Sequence, residues 1–229
     1  MSCGSSLRTR SVKPSPSELR FASFLSYSPR GETNEAARSR NFVLQLKEGK
    51  ILSTDRGEMP AAAYAARRIR ETPLEFKGEF LGAGSALVPV PRSALLVRGA
   101  LWPAAEIAEA LAREGFGSGV VRCLVRRHAV TKAATATRET RPTARDHFDS
   151  LAVVEPLSLP AKVTLIDDVV TRGAQLWGAA CRIWKARADV EVVGFAVIRT
   201  ISGRTEFERI LAPCVGRIWL ERGRCIRRP

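Results

Sequence analysis

Residues 163–180 read VTLIDDVVTRGAQLWGAA, and the order of residue types in that stretch decides the fold. Val163, Leu165 and Ile166 form an apolar run of the kind found in strands buried on both faces of a sheet. The run meets two adjacent acids, Asp167 and Asp168, which are costly inside a core. They therefore belong at the strand's carboxyl end, where open α/β sheets bind ligands. Thr171, Arg172, Gly173, Ala174 and Gln175 then lead into a helix expected over 173–186. The backbone N–H groups ahead of the first helical hydrogen bond converge beside the positive end of the helix dipole and form an anion cradle. Gly173 permits close approach of the backbone, Thr171 offers a hydroxyl, and Arg172 offers a charge-assisted contact. Asp167 and Asp168, as paired acceptors, suit the two hydroxyls of a ribose.

Working outward, strands are expected over 86–90, 120–125, 151–154, 163–166 and 190–198 (VEVVGFAVI), with a late strand over 215–220 (VGRIWL). Helices are expected over 33–47 (TNEAARSRNFVLQLK), 60–70 (PAAAYAARRIR) and 103–114 (PAAEIAEALARE), the last two opened by proline. Strands alternating with helices predict an α/β fold: a central, mostly parallel sheet flanked by helices. Residues 1–20 have the Ser, Pro, Arg and Lys composition of a flexible tail. Residues 21–80 read as an N-terminal helical extension, or hood, and 81–229 as the core. Residues 126–150, rich in Arg, Thr and Ala, read as a long mobile loop, and loops of that length are uncommon without a function.

The chain has 229 residues, 37 of them basic and 23 acidic, for a formal charge of +14, which attracts phosphorylated ligands or nucleic acid. Five scattered cysteines and two histidines, without a CxxC pair, exclude a zinc knuckle and a disulfide framework. The reading of metal ligands is none. With no apolar run of membrane-spanning length and no signal-peptide core near residue 1, the expectation is a cytoplasmic protein without a membrane partner. His128 and His147 lie in the long loop without a visible partner. Gly82-Ala83-Gly84 precedes a strand and is no dinucleotide fingerprint.

Residues 163–175 closely resemble the signature of type I phosphoribosyltransferases that binds phosphoribosyl pyrophosphate (PRPP): four mostly hydrophobic residues, Asp-Asp, two residues, then Thr-Thr/Ala-Gly-x-Thr/Ser. The resemblance implies the type I phosphoribosyltransferase fold with a small variable hood. It also implies that Asp167 and Asp168 hold the ribose hydroxyls and that Thr171, Arg172, Gly173, Ala174 and Gln175 surround the 5-phosphate. Arg172 and Gln175 stand where small side chains are common. A second stretch, Val88-Pro89-Val90-Pro91-Arg92 with the later Arg98-Gly99, resembles the competence-associated ComF-like branch. This chain lacks that branch's cysteine-rich zinc module, which places it with stand-alone members. By that resemblance Pro91, Arg92 and Ser93 form a pyrophosphate loop.

Proteins of this fold often carry a flexible loop ahead of the signature that closes over the reacting ribose. The resemblance places Arg126, Arg127, Lys132, Arg141 and Arg145 near the pyrophosphate, with Lys132 as the preferred transition-state contact. Tyr27-Ser28-Pro29-Arg30-Gly31 is a candidate for the base-binding hood. The implied reaction transfers a 5-phosphoribosyl group from PRPP to a nitrogen acceptor with release of pyrophosphate, and Mg2+ enters through PRPP. Homodimers are common among such proteins.

Two alternatives stay open. One is a non-catalytic sensor that keeps the cradle and binds PRPP or a nucleotide 5-phosphate. The other is an effector subunit of a nucleoprotein assembly, by analogy with proteins of this fold found beside reverse transcriptases in retron antiphage systems. Its candidate contacts are Arg67, Arg68, Arg70, Arg222, Arg224, Arg227 and Arg228.

Overall fold

The structure, a computed structural model, describes residues 16–131, 140–154, 159–203 and 206–229. The elements run β1 (Glu18–Tyr27), α1 (Asn34–Lys47), β2 (Ile51–Thr54), β3 (Gly57–Pro60), α2 (Ala61–Glu71), α3 (Lys77–Leu81), β4 (Ala86–Pro89) and α4 (Pro103–Arg113). They continue with β5 (Gly119–Val120), β6 (Leu124–Arg126), α5 (Ala144–Ser150), β7 (Leu151–Val153), β8 (Lys162–Val170), α6 (Ala174–Ala186), β9 (Glu191–Thr200), β10 (Leu211–Glu221) and β11 (Arg224–Arg228).

A seven-stranded sheet of order β11-β10-β1-β9-β8-β4-β5 forms the centre. From β1 to β5 each neighbouring pair is parallel, while β10 runs antiparallel to β1 and β11 antiparallel to β10. The expected α/β class with a mostly parallel sheet is therefore present. Helices cover both faces. On one side Phe24, Phe80 and Phe195 pack with α1, α2, α3 and α4. On the other side Phe21, Leu165 and Ile218 pack with Leu176, Trp177 and Trp184 of α6. Buried alanines, Ala61, Ala62, Ala65 and Ala66 on α2 and Ala104, Ala105 and Ala108 on α4, leave little side-chain bulk between the helices and the sheet.

The expected helices begin where their caps dictate. Thr33 accepts the Ala36 N–H at 3.1 Å to open α1, and Pro103 occupies the first turn of α4. Four expectations need correction. First, the helical extension assigned to 21–80 contains β1, which lies between β9 and β10 in the sheet, and residues 18–20 of the supposed tail belong to the same strand. Ser23 and Ser26 hid it, because buried serines break the apolar run; Ser26 donates to the Arg209 carbonyl at 2.6 Å. Second, the strand expected over 120–125 is two, β5 in the main sheet and β6 paired antiparallel with β7.

Third, the long loop ends in α5, fixed by a capping box in which Thr143 and Asp146 satisfy each other's backbone N–H groups. Fourth, the basic carboxyl end is a strand. The two-residue turn Arg222-Gly223 has φ of 48° and 77°, the doubly left-handed geometry of a tight hairpin, and it pairs Glu221 with Arg224. Lys132 and residues 1–15 lie outside the described residues. Among the described residues no helix is long and apolar enough to cross a membrane.

Candidate functional site

The carboxyl ends of the parallel strands bring the candidate residues to one edge of the sheet. β8 carries Asp167 and Asp168 one turn short of the cradle, and Val90, just past β4, donates its N–H to the Ile166 carbonyl at 2.9 Å. β1 and β9 end level with each other, Tyr27 beside Thr200. The loops after β4, β8, β9 and β1 therefore border a common edge.

The two acids face different partners. Asp167 is 4% exposed, accepts the Asp168 N–H at 3.0 Å, and has the Gln175 amide nitrogen at 3.5 Å from both oxygens. Burial and the neighbouring Asp168 charge hold its carboxyl well above the usual range. Asp168 makes an ion pair with Lys47, Nζ to Oδ2 at 2.7 Å. Burial alone would raise the Asp168 carboxyl, but the Lys47 ammonium together with hydrogen bonds from Asp167 and the Val169 N–H outweighs it, so Asp168 stays below the usual range and ionised. The pair thus carries one firmly held negative charge on Asp168 beside a carboxyl poised to keep its proton.

Lys47 is the residue at this edge that the sequence did not announce. It ends α1, where a lysine is expected simply to complement the helix dipole. Only the packing of α1 against β8 brings it to the acids, and Leu46, buried in the core, fixes the helix end that presents it. The one available hint was its place as the last residue of a helix in the presumed hood.

The turn that opens α6 is left-handed. Gly173 sits at φ 83°, and a Cβ there would lie 2.5 Å from Cδ1 of Ile218, so both conformation and space demand glycine. The first bond of α6 runs from the Trp177 N–H to the Gly173 carbonyl at 2.8 Å, which leaves the amides of Ala174, Gln175 and Leu176 ahead of the helical ladder. The hydroxyls of Thr171 and Thr200 lie 3.1 Å apart, tying the cradle to the end of β9. Arg172 is exposed at the rim.

The loop after β4 is tied down by its carbonyls. The Val90 carbonyl accepts from Trp102 Nε1 at 2.9 Å and the Pro91 carbonyl from Arg126 Nη2 at 3.0 Å. The Arg92 carbonyl accepts from Arg126 Nε at 2.5 Å and the Ser93 carbonyl from the Val130 N–H at 2.9 Å. Every peptide bond here is trans. In a planar trans peptide the N–H points opposite to the preceding carbonyl, so the amides of Arg92, Ser93 and Ala94 point away from those protein donors. Each of these N–H groups thus lies on the opposite side of its peptide from the donor that holds the carbonyl.

Arg126 is placed beneath this loop, 7% exposed, and it also donates to Ser150 Oγ. Burial pulls its guanidinium down to about 10, with the nearby Asp167 carboxyl acting in the opposite direction. Its donors are engaged within the protein, so it holds the loop from inside. Arg92 likewise turns one nitrogen to the Leu101 carbonyl at 2.9 Å. Lys132, the expected transition-state contact, lies outside the described residues.

The remaining candidates are held by contacts within the protein. His147 is buried in α5 against α6, and burial together with Arg126 pushes its imidazole down to about 4. A Cβ on Gly178 would lie 2.7 Å from His147 Cβ, so α5 and α6 pack closely here, and among the described residues His147 Nδ1 is buried without a hydrogen-bond partner. In the 27–31 turn Arg30 donates to the Ser202 carbonyl at 2.8 Å and Ser28 Oγ accepts the Gly31 N–H at 2.9 Å, which braces the turn at the end of β1. Burial raises the thiols of Cys123 and Cys181 to about 11 and that of Cys225 to about 12, so none is an activated nucleophile.

The basic segments are largely paired. Arg68 bonds Glu71 at 3.1 Å, Arg70 bonds Glu114 at 3.0 Å, and Arg67 lies 4.0 Å from Glu114. Arg227 turns to the Thr200 carbonyl at 2.7 Å, and Arg228 lies over Trp219. Among the described residues no cluster of three or more His, Cys, Asp or Glu side chains is placed to hold a metal ion.

The fold and site define an α/β protein whose parallel sheet ends in a carboxylate pair and an amide cradle. No protein-family model matches the chain, and no curated protein matches it.

Proposed function

We propose that the chain is a type I phosphoribosyltransferase that transfers the 5-phosphoribosyl group of PRPP to a nitrogen acceptor. The observation that carries this reading is the joint placement of Asp167, Asp168 and the left-handed Gly173 turn on one strand end, beside a β4 loop whose carbonyls are held by protein donors. The ribose hydroxyls would donate to Asp167 and Asp168. The 5-phosphate would accept from the Thr171 hydroxyl and the amides that open α6. The pyrophosphate would accept from the amides of Arg92, Ser93 and Ala94. The C1–O bond to pyrophosphate breaks as the acceptor nitrogen bonds to C1 and then loses its proton, and the chain's contribution is positioning and electrostatic stabilisation of the leaving group. In this scheme Arg126 shapes the pyrophosphate loop from below.

Magnesium would arrive with PRPP and be held mainly through the substrate's own oxygens, since Mg2+ keeps waters and takes few protein ligands and, among the described residues, no cluster of three or more His, Cys, Asp or Glu side chains is placed to hold it. When bound it would supply charge neutralisation on the pyrophosphate. A cytoplasmic site of action is part of the proposal.

Incubating the chain with PRPP, Mg2+ and a panel of nitrogenous bases, and measuring pyrophosphate release, tests the reaction. Release with one base supports transfer. A ligand-dependent thermal shift without release supports instead the non-catalytic sensor, for which the engagement of Gln175 with Asp167 is the favouring observation. The α2 arginines are ion-paired, which weakens them as contacts to a nucleic acid.

A further inference from the structure

We infer that Lys47 selects the ligand of the ribose site: its ammonium is the counter-ion that lets Asp168 stand beside an anionic group at C1, favouring a ribose phosphate with pyrophosphate there. This rests on the phosphoribosyl reading of the same site.

Asp168 is the ionised member of the acid pair, and its Oδ2 lies 2.7 Å from Lys47 Nζ. A ribose that places its hydroxyls on the two acids sets C1 one bond from the carbon bearing the 2-hydroxyl. Any group on C1 then lies within a few ångströms of the Asp168 charge, where two like charges repel strongly at the low effective dielectric of a protein site. A polyanion there needs Asp168 neutralised.

Two other cations of this edge are committed elsewhere. Arg126 is buried and donates to the Pro91 and Arg92 carbonyls and to Ser150. Arg92 holds the Leu101 carbonyl. Among the described residues, Lys47 is the cation that makes an ion pair with either acid. Its side chain is 48% exposed against 16% for Asp168, so the ammonium bridges the buried acid and the open edge where a ligand would lie.

A purely structural lysine would behave differently. Its loss would loosen the end of α1 and weaken every ligand alike, whereas loss of a counter-ion penalises ligands according to their charge at C1. Ribose 5-phosphate, with a neutral hydroxyl at C1, is the matched control.

The experiment is calorimetric titration of the full chain and its Lys47→Met, Lys47→Gln and Lys47→Arg variants with PRPP plus Mg2+ and with ribose 5-phosphate, each variant checked by thermal unfolding. The two neutral variants serve as duplicates should one fail to fold. They should lose about tenfold or more in PRPP affinity and less than about threefold for ribose 5-phosphate. Lys47→Arg should keep PRPP affinity within about threefold. Equal losses for the two ligands, or no loss for PRPP, in a wild type that binds both would overturn the role of Lys47 alone. Failure of the wild type to bind either ligand would overturn the phosphoribosyl reading together with it.

Discussion

Lys47 at the end of α1 and Asp168 on β8 form an ion pair of 2.7 Å that joins a helix of the N-terminal segment to the candidate site. Because Lys47 is half exposed, solvent screens the pair, and Lys47→Met should cost about 1 kcal/mol of stability at neutral pH. Asp168 titrates below its unfolded value, so its contribution is present above the ordinary carboxylate range and is lost as pH falls through the depressed folded value. Lys47 titrates above its unfolded value, so its share persists to alkaline pH and is lost as pH rises through the raised value. Thermal unfolding of wild type and variant across pH should show the largest gap near neutrality. A gap that does not narrow in acid would contradict the assignment.

Asp167 has the opposite sign. Its folded carboxyl titrates above the unfolded one, so its stabilising share exists below the ordinary carboxylate value and is lost as pH rises through the raised folded value. At neutral pH the buried acid is a burden on the fold. Asp167→Asn, which keeps the oxygen that accepts the Asp168 N–H, should stabilise the ligand-free chain by about 1 kcal/mol, as expected where a functional site is relieved of strain. Denaturant unfolding checks this: the gain should be present near pH 7 and shrink in acid, and a loss of stability near pH 7 would contradict it.

Gly173 and Ile218 are coupled through space. Gly173→Ala adds a methyl at φ 83° and 2.5 Å from Ile218 Cδ1, and should cost about 2 kcal/mol or more. In the double variant with Ile218→Ala, the steric part of that cost disappears while the backbone part stays. A double-mutant cycle by denaturant unfolding measures the coupling, which should exceed about 0.5 kcal/mol. Strict additivity would mean that the two residues do not meet.

Arg126 is predicted to act through the loop it braces. Arg126→Met leaves the Pro91 and Arg92 carbonyls without donors and should cost about 2–4 kcal/mol. It should also weaken PRPP more than ribose 5-phosphate, because on the proposed reading only PRPP would use the amides of that loop. His147 gives an independent readout: removing the nearby guanidinium should raise its imidazole from about 4, followed by NMR titration. An unmoved imidazole would place Arg126 elsewhere.

The strand, the paired acids and the glycine turn of 163–175 were legible in the sequence because each depends on its near neighbours alone. A buried strand needs an apolar run, and a left-handed turn needs glycine. β1 was not legible, since Ser23 and Ser26 are buried through tertiary contacts that a local pattern does not encode. Nor was the pairing of Lys47 with Asp168, which lie far apart in sequence and meet only when α1 packs across β8. Arg126 was recognisable as a residue near the loop, but its orientation depends on the carbonyls of residues 91 and 92, so the sequence placed it on the ligand's side of a loop that it supports from beneath.

Calorimetric titration of PRPP with Mg2+ into the wild-type chain and into the Asp167→Asn/Asp168→Asn double variant bears most directly on the phosphoribosyl site. The wild type should give a saturable, one-to-one binding heat, and the double variant should stay folded by circular dichroism and give none. Absence of binding by the wild type, or unchanged binding by the folded double variant, would contradict the assignment of Asp167 and Asp168 as the ribose-binding pair.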